Sequence, residues 1–165
     1  MNNNIFKNRR EKILEQMTNG VALIPSGTMQ VRSNDTEFPF RQESNFYYLS
    51  GFNEPDCLLL LCKNEKNSKS VLFLRDRDLN MEMWVGKRLG VTAACKALDI
   101  DEAYDISTLE PELENLLKGY TNLYLDTFSD NIYLNLSQQV ANKLFLSRAV
   151  DISPRNFIHL NTFLE

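Results

Sequence analysis

Histidine, tryptophan and cysteine are scarce in this 165-residue chain, with one His, one Trp and three Cys. A hydrolytic metal site draws several ligands from His, Asp, Glu and Cys, yet no H-x-x-x-H, H-x-E-x-x-H or paired C-x-x-C occurs. The lone His159 lacks co-ligands and reads as a surface or interdomain residue. A Ser-His-Asp or Cys-His machine would depend on that same residue. Three cysteines, Cys57, Cys62 and Cys95, are too few and oddly numbered for a disulfide framework. Cys57 and Cys62 fall on one predicted strand with odd spacing, so they point to opposite faces. Apolar surroundings raise a thiol pKa, which is wrong for a nucleophile. Neither G-x-x-x-x-G-K-[ST] nor G-x-G-x-x-G is present, so nucleotide phosphates have no cradle. No apolar run approaches the roughly 20 residues that cross a bilayer, and the start M-N-N-N-I-F-K-N-R-R-E-K lacks a signal peptide's apolar stretch. The net charge of −4 gives no basic footprint for nucleic acid. These absences predict a cytoplasmic chain with no nucleic-acid or membrane partner and no catalytic residues of its own.

What is present reads as one globular domain, with 43% hydrophobic and 24% charged residues. A first helix runs from a cap at Asn4 with Phe6, Ile13, Leu14 and Met17 at helical spacing, which leaves Arg9, Arg10 and Lys12 on the solvated side. V-A-L-I-P, residues 21–25, is a short buried strand. Residues 26–41 are loop, and long loops in compact domains are usually functional or disordered. Residues 46–50, 57–63 and 70–75 read as three strands with short links, hence antiparallel neighbours. Leu58 to Leu61 is apolar throughout, which predicts a central strand covered on both faces.

Met81, Trp84, Val85 and Leu89 form one helical stripe broken by Gly86 and Gly90. A short helix capped by Thr92 follows, then a weak strand over 103–106. Ser107 with Glu110 resembles a capping box for a Leu-rich helix whose start shifts to Thr108 if Pro111 is to sit in the first turn. A strand over 123–126 leads to a last helix capped by Ser129, with Ile132, Leu136, Val140 and Leu144 on one face. Alternating helices and strands plus an antiparallel meander give an α/β fold, a mixed β-sheet flanked by helices.

The stretch 38–55, F-P-F-R-Q-E-S-N-F-Y-Y-L-S-G-F-N-E-P, is the most distinctive in the chain. By residue type it is an ordered loop pinned by buried rings ahead of a β-hairpin. Extended back to Arg32 as R-S-N-D-T-E, it strongly resembles the signature of the N-terminal domain of bacterial aminopeptidase P, the Xaa-Pro aminopeptidases. The block S-V-L-F-L-R-D-R-D-L-N-M-E-M-W-V-G-K-R-L-G, residues 70–90, resembles that family too. Phe38-Pro39-Phe40 replaces Tyr-Pro-Tyr, and Asn45 replaces an aspartate. Both exchanges are conservative; losing the two hydroxyls leaves packing intact but removes any hydrogen bonds they made.

The resemblance implies the ribonuclease-H-like N-terminal fold of the creatinase/prolidase superfamily. It also implies that catalysis belongs to a C-terminal pita-bread domain, absent here, holding two divalent metal ions, usually manganese. This chain alone is then inactive and binds no metal. It reads as a single domain over 1–165, with 151–165 beginning an interdomain linker. Its implied partners are its own catalytic domain, further copies in a homo-oligomer, and a proline-containing peptide. By motif position Asp35 matches an aspartate that reaches a neighbouring subunit's active site, Trp84 a tryptophan facing the substrate, and Arg148 an arginine near the substrate's C-terminal side. Read from residue type alone, Asp35 caps a loop and Trp84 is core or interdomain. Two other functions fit the same fold: a stand-alone peptide- or protein-binding module, and the N-terminal domain of a prolidase.

Overall fold

In a computed structural model, which describes residues 3–28, 31–32, 36–37 and 40–160, strands and helices alternate along the chain. Helix α1 (Asn3–Gln16) leads into β1 (Gly20–Pro25). Two-residue strands β2 (Val31–Arg32) and β3 (Thr36–Glu37) pair antiparallel. Helix α2 (Ser44–Ser50), β4 (Leu58–Lys63), β5 (Ser68–Leu74), α3 (Glu82–Val85) and α4 (Val91–Leu98) follow. The remainder is β6 (Glu102–Asp105), a 3-10 turn at Ile106–Thr108, α5 (Leu109–Leu116), β7 (Asn122–Leu125), α6 (Ile132–Leu146) and β8 (Asn156–His159). The main sheet has six strands in the order β6-β5-β4-β1-β7-β8. Only β4 runs against the others, pairing antiparallel with β1 and β5, while β5–β6, β1–β7 and β7–β8 are parallel.

This is the expected mixed sheet with helices on both faces. Because side chains alternate along a strand, β4 sends Leu59 and Leu61 to one core and Leu58, Leu60 and Cys62 to the other, all fully buried. The first core is closed by Ile13 and Leu14 of α1, Phe46 and Leu49 of α2, and Ala94 and Leu98 of α4. The second is closed by Leu109, Leu113 and Leu116 of α5 with Leu134, Val140 and Leu144 of α6. Cys57 and Cys62 do lie on opposite faces.

Several local readings change: Gly90, not Thr92, precedes α4, the stripe over 81–89 is helical only at Glu82–Val85, and α5 is capped at Thr108 with no side-chain bond in place of a Ser107–Glu110 box. Residues 46–50 are helical, not a strand: Phe46 and Leu49 are buried at helical spacing while Tyr47 and Tyr48 face out. The Glu43 carboxylate accepts the Asn45 N–H at the start of that helix, and Gly51 ends it in the left-handed conformation. Arg10 is 2% exposed rather than solvated. The buried face of α6 is Leu134, Ser137, Val140, Ala141 and Leu144, because a strict four-residue spacing from Ile132 drifts off a 3.6-residue helix. Its cap is Asn131, whose Oδ1 accepts from the Tyr133 and Leu134 N–H groups. Within the stretch expected to begin a linker, β8 pairs with β7 and forms an edge of the sheet.

Gly51 is required for two reasons at once. Its φ is 68°, and a Cβ there would lie 2.5 Å from the Phe6 ring. Gly51→Ala is therefore expected to cost about 2–4 kcal/mol, combining left-handed strain with a clash in a packed interface. Urea unfolding measures it; a change under about 0.5 kcal/mol, typical of an inert surface site, would refute this account.

Candidate functional site

Strand direction gathers several loops at one edge of the sheet. The loop leaving β1, the excursion leaving β5, the turn entering β4 and the N-terminus of α6 all lie at the carboxyl ends of β1, β5 and β7. Polar side chains tie these segments together. Ser26 Oγ accepts the Cys57 N–H at 2.7 Å, and the Asp56 N–H donates to the Gly27 carbonyl at 3.1 Å. Gln42 spans three segments: its Oε1 accepts the Gly27 N–H, and its Nε2 donates to the carbonyls of Phe52 and Glu54. Tyr133 of α6 donates to Asp56 at 3.3 Å, and burial followed by that carboxylate pushes the phenol up to about 12.

The excursion over residues 75–91 is fastened at its base and bare at its tip. Glu54 Oε2 accepts the Leu89 N–H at 2.9 Å, and Arg75 Nη2 stands 3.5 Å from Glu54 Oε1. Asp76 Oδ1 accepts from the N–H groups of Arg77 and of Val91, the first residue of α4. Those two bonds, Val91's foremost, hold the Asp76 carboxyl below its usual pKa. Arg77 grips Glu82 with Nε and Nη2 at 2.8 Å each, and fixes the start of α3. Beyond this base Trp84 is 82% and Met83 92% exposed, and Leu79 is exposed as well. Trp84 is thus neither core nor capped by its own domain.

Among the described residues, no group of three or more His, Cys, Asp or Glu could hold a metal ion. Burial pushes the Cys57 and Cys62 thiols up to about 12, and at Cys57 the Glu54 charge adds to it. His159 Nδ1 accepts the Thr127 N–H at 3.3 Å. No helix is long and apolar enough to cross a membrane, among the described residues.

Of the residues singled out in the sequence, Asp35 lies outside the described residues. Trp84 stands at the carboxyl edge of the sheet. Arg148 is exposed in the turn after α6. That turn is at the opposite edge, where Gly119 and Thr121 before β7 bond to Ile152, Arg155 and Asn156. Trp84 and Arg148 are therefore not brought together on this domain. The anchors Gln42, Glu54, Asp76 and Glu82 escaped the sequence reading. The E-P-D turn and the Arg-Asp-Arg-Asp run marked their places but not their partners.

The family described as aminopeptidase P, N-terminal domain, matches residues 6–124. The chain belongs to this family. The Xaa-Pro aminopeptidase of Haemophilus influenzae is 45% identical over 120 residues, covering 72% of this chain and 28% of that protein. The Xaa-Pro aminopeptidase of Escherichia coli is 44% identical over 121 residues, covering 72% and 27%. The chain thus spans little more than a quarter of these relatives. A solved structure of E. coli aminopeptidase P in complex with substrate covers 99% of this chain and 38% of its own, with a TM-score of 0.93 and 34% identity. Another E. coli aminopeptidase P was solved zinc-substituted with product, at a TM-score of 0.90 and 34% identity over 96% of this chain and 37% of its own. For an aminopeptidase P N-terminal domain, the matched segment takes in the whole excursion and its Glu54 anchor.

Proposed function

We propose that this chain is the non-catalytic N-terminal domain of a cytoplasmic, metal-dependent Xaa-Pro aminopeptidase. It covers the active site of a catalytic domain, limits the size of the peptide admitted, and contributes to an oligomer interface. The observation that carries this reading is the Trp84 tip, an apolar group on a fastened base that its own domain leaves 82% exposed. Exposed apolar surface of this kind marks an interaction site, and its relatives are Xaa-Pro aminopeptidases. Trp84 and Asp35 are assigned to the rim of the substrate pocket, the indole packing on proline or the residue after it. Arg148 is assigned to the C-terminal side of the peptide. Because it leaves the domain at the other edge, a pocket using both residues needs a surface that wraps the domain or a second copy of the chain. Two divalent ions, manganese the expected species, would be held by the catalytic domain and would there lower the pKa of a bound water.

The test is hydrolysis of Xaa-Pro peptides, with manganese added, by the gene's full-length product beside this 165-residue chain. The longer product is expected to release the N-terminal residue and lose that activity to a chelator, while the shorter chain stays inert. Activity in the 165-residue chain, or an inert full-length product, sinks the proposal. A gene encoding nothing more would leave the binding-module reading.

A further inference from the structure

We propose that Glu54 is a positioning residue that couples the Trp84 tip to the Gln42 junction between β1 and α2. The inference rests on the pocket role assigned to that tip, but its structural part stands on contacts already described. Glu54 lies in the turn between α2 and β4 and engages both segments through different atoms. Its side chain meets both legs of the excursion: Oε2 accepts the Leu89 N–H at 2.9 Å on the return leg, and Oε1 faces Arg75 Nη2 at 3.5 Å on the outgoing leg. Its main-chain carbonyl accepts Gln42 Nε2 at 2.9 Å. Gln42 in turn holds the Gly27 and Glu43 N–H groups through its Oε1, at 2.8 and 2.9 Å, and so ties the residues leaving β1 to those entering α2.

The ends of two connections from different strands are thereby referred to one turn. That turn is itself anchored, since Ser26 holds Cys57 and Gly27 holds Asp56. Asp76 ties the outgoing leg to Arg88 and Val91 on the return leg, and the Arg77–Glu82 pair fixes the start of α3. Loss of the Glu54 carboxylate removes the acceptor at Leu89, 35 residues along the chain, and leaves the two legs of the excursion tied to each other at Asp76 but no longer to the turn before β4. Glutamine keeps that acceptor and sheds only the charge facing Arg75. Substrate positioning, where reacting geometry tolerates little displacement, depends on such supports.

Amide relaxation on the 165-residue chain tests the clamp directly. The wild type is expected to give backbone order parameters of about 0.85 over residues 82–91, and Glu54→Ala values below about 0.6 there. Glu54→Gln is expected to stay near the wild type. Glu54→Asp, whose shorter side chain withdraws from Leu89, gives the same readout should the alanine variant fail to fold. Leu144→Ala, a cavity on the far face of the sheet, serves as the destabilised control and leaves these amides ordered. Unchanged order in the Glu54→Ala or Glu54→Asp variant overturns the clamp, as does equal loosening in Leu144→Ala. In the full-length product the loosened variant is expected to raise KM for Xaa-Pro peptides several-fold with a smaller change in kcat. Loosening without any kinetic change overturns the coupling to substrate. Failure of the pocket reading is distinguishable, because it would leave a Trp84 variant kinetically silent while the clamp persisted.

Discussion

Arg10→Ala is expected to be among the most damaging single substitutions in this domain, at about 3–5 kcal/mol, because it strips a buried cation from three acceptors at once. Arg10 is 2% exposed and sits on α1 between two other helices. Its Nη1 donates to the Leu49 carbonyl in the last turn of α2, at 2.9 Å. Its Nη2 donates to the carbonyls of Leu98 and Asp99 at the end of α4, at 3.3 and 2.8 Å. Terminal helix carbonyls have no partner within the helix, so one guanidinium caps two C-termini and completes the α1–α2–α4 layer. Burial pushes the Arg10 pKa down, and Asp99, Asp101 and Glu11 oppose it. Arginine stays charged under such pressure. Alanine leaves three carbonyls unpaired and a cavity beside them. For a chain of this size the loss corresponds to a fall in Tm of about 10 °C. Arg10→Lys is expected to lose less but not to be neutral, since one ammonium cannot reproduce a planar fork that spans two helices. Thermal and urea unfolding decide it. A loss below about 1 kcal/mol for alanine would mean that water caps these carbonyls as well as arginine does.

Arg10 also marks where the sequence was legible and where it was misread. Phe6, Arg10, Ile13, Leu14 and Met17 share one helical spacing, so the position belonged to the buried stripe; only its charge argued for solvent. A guanidinium is buried when carbonyl acceptors await it, and those acceptors lie 39 and 88 residues away. Periodicity sees neighbours in sequence, not that distance. The same limit hid Glu54, whose acceptor role depends on Leu89. The central strand was readable because Leu58 to Leu61 is apolar at every step, which only a strand covered on both faces accommodates. Residues 46–50 misled through their composition. Phe-Tyr-Tyr favours a strand by propensity, yet that propensity reflects packing on a pleated surface. Here Phe46 and Leu49 find their core only as a helix, between the Glu43 cap and the Gly51 stop. Strand β8 lacked any signal of its own. Its burial is partial, and it is held by pairing with the edge of β7.

Trp84→Ala is expected to separate stability from function more sharply than any other change. With the indole 82% exposed, the isolated domain should unfold within about 0.5 kcal/mol of the wild type. In the full-length product the same substitution removes a large ring that we assign to the peptide. Aromatic anchors at such contacts are worth about 2 kcal/mol or more when truncated, which is roughly thirtyfold in kcat/KM. Trp84→Phe should recover part of the loss, because a smaller ring still covers apolar substrate surface. The distribution between constants carries further information. A rise in KM alone means that the ring binds substrate and transition state equally, whereas a fall in kcat means that it positions the scissile bond. Met83→Ala is the natural comparison, being more exposed still, at 92%, on the same turn of α3. If both variants lose activity alike, the tip acts as an apolar surface packed against the catalytic domain. If Trp84→Ala alone is impaired, the indole itself meets the peptide. Full activity in Trp84→Ala would remove the tip from the pocket altogether, and its exposure would then call for a partner other than substrate.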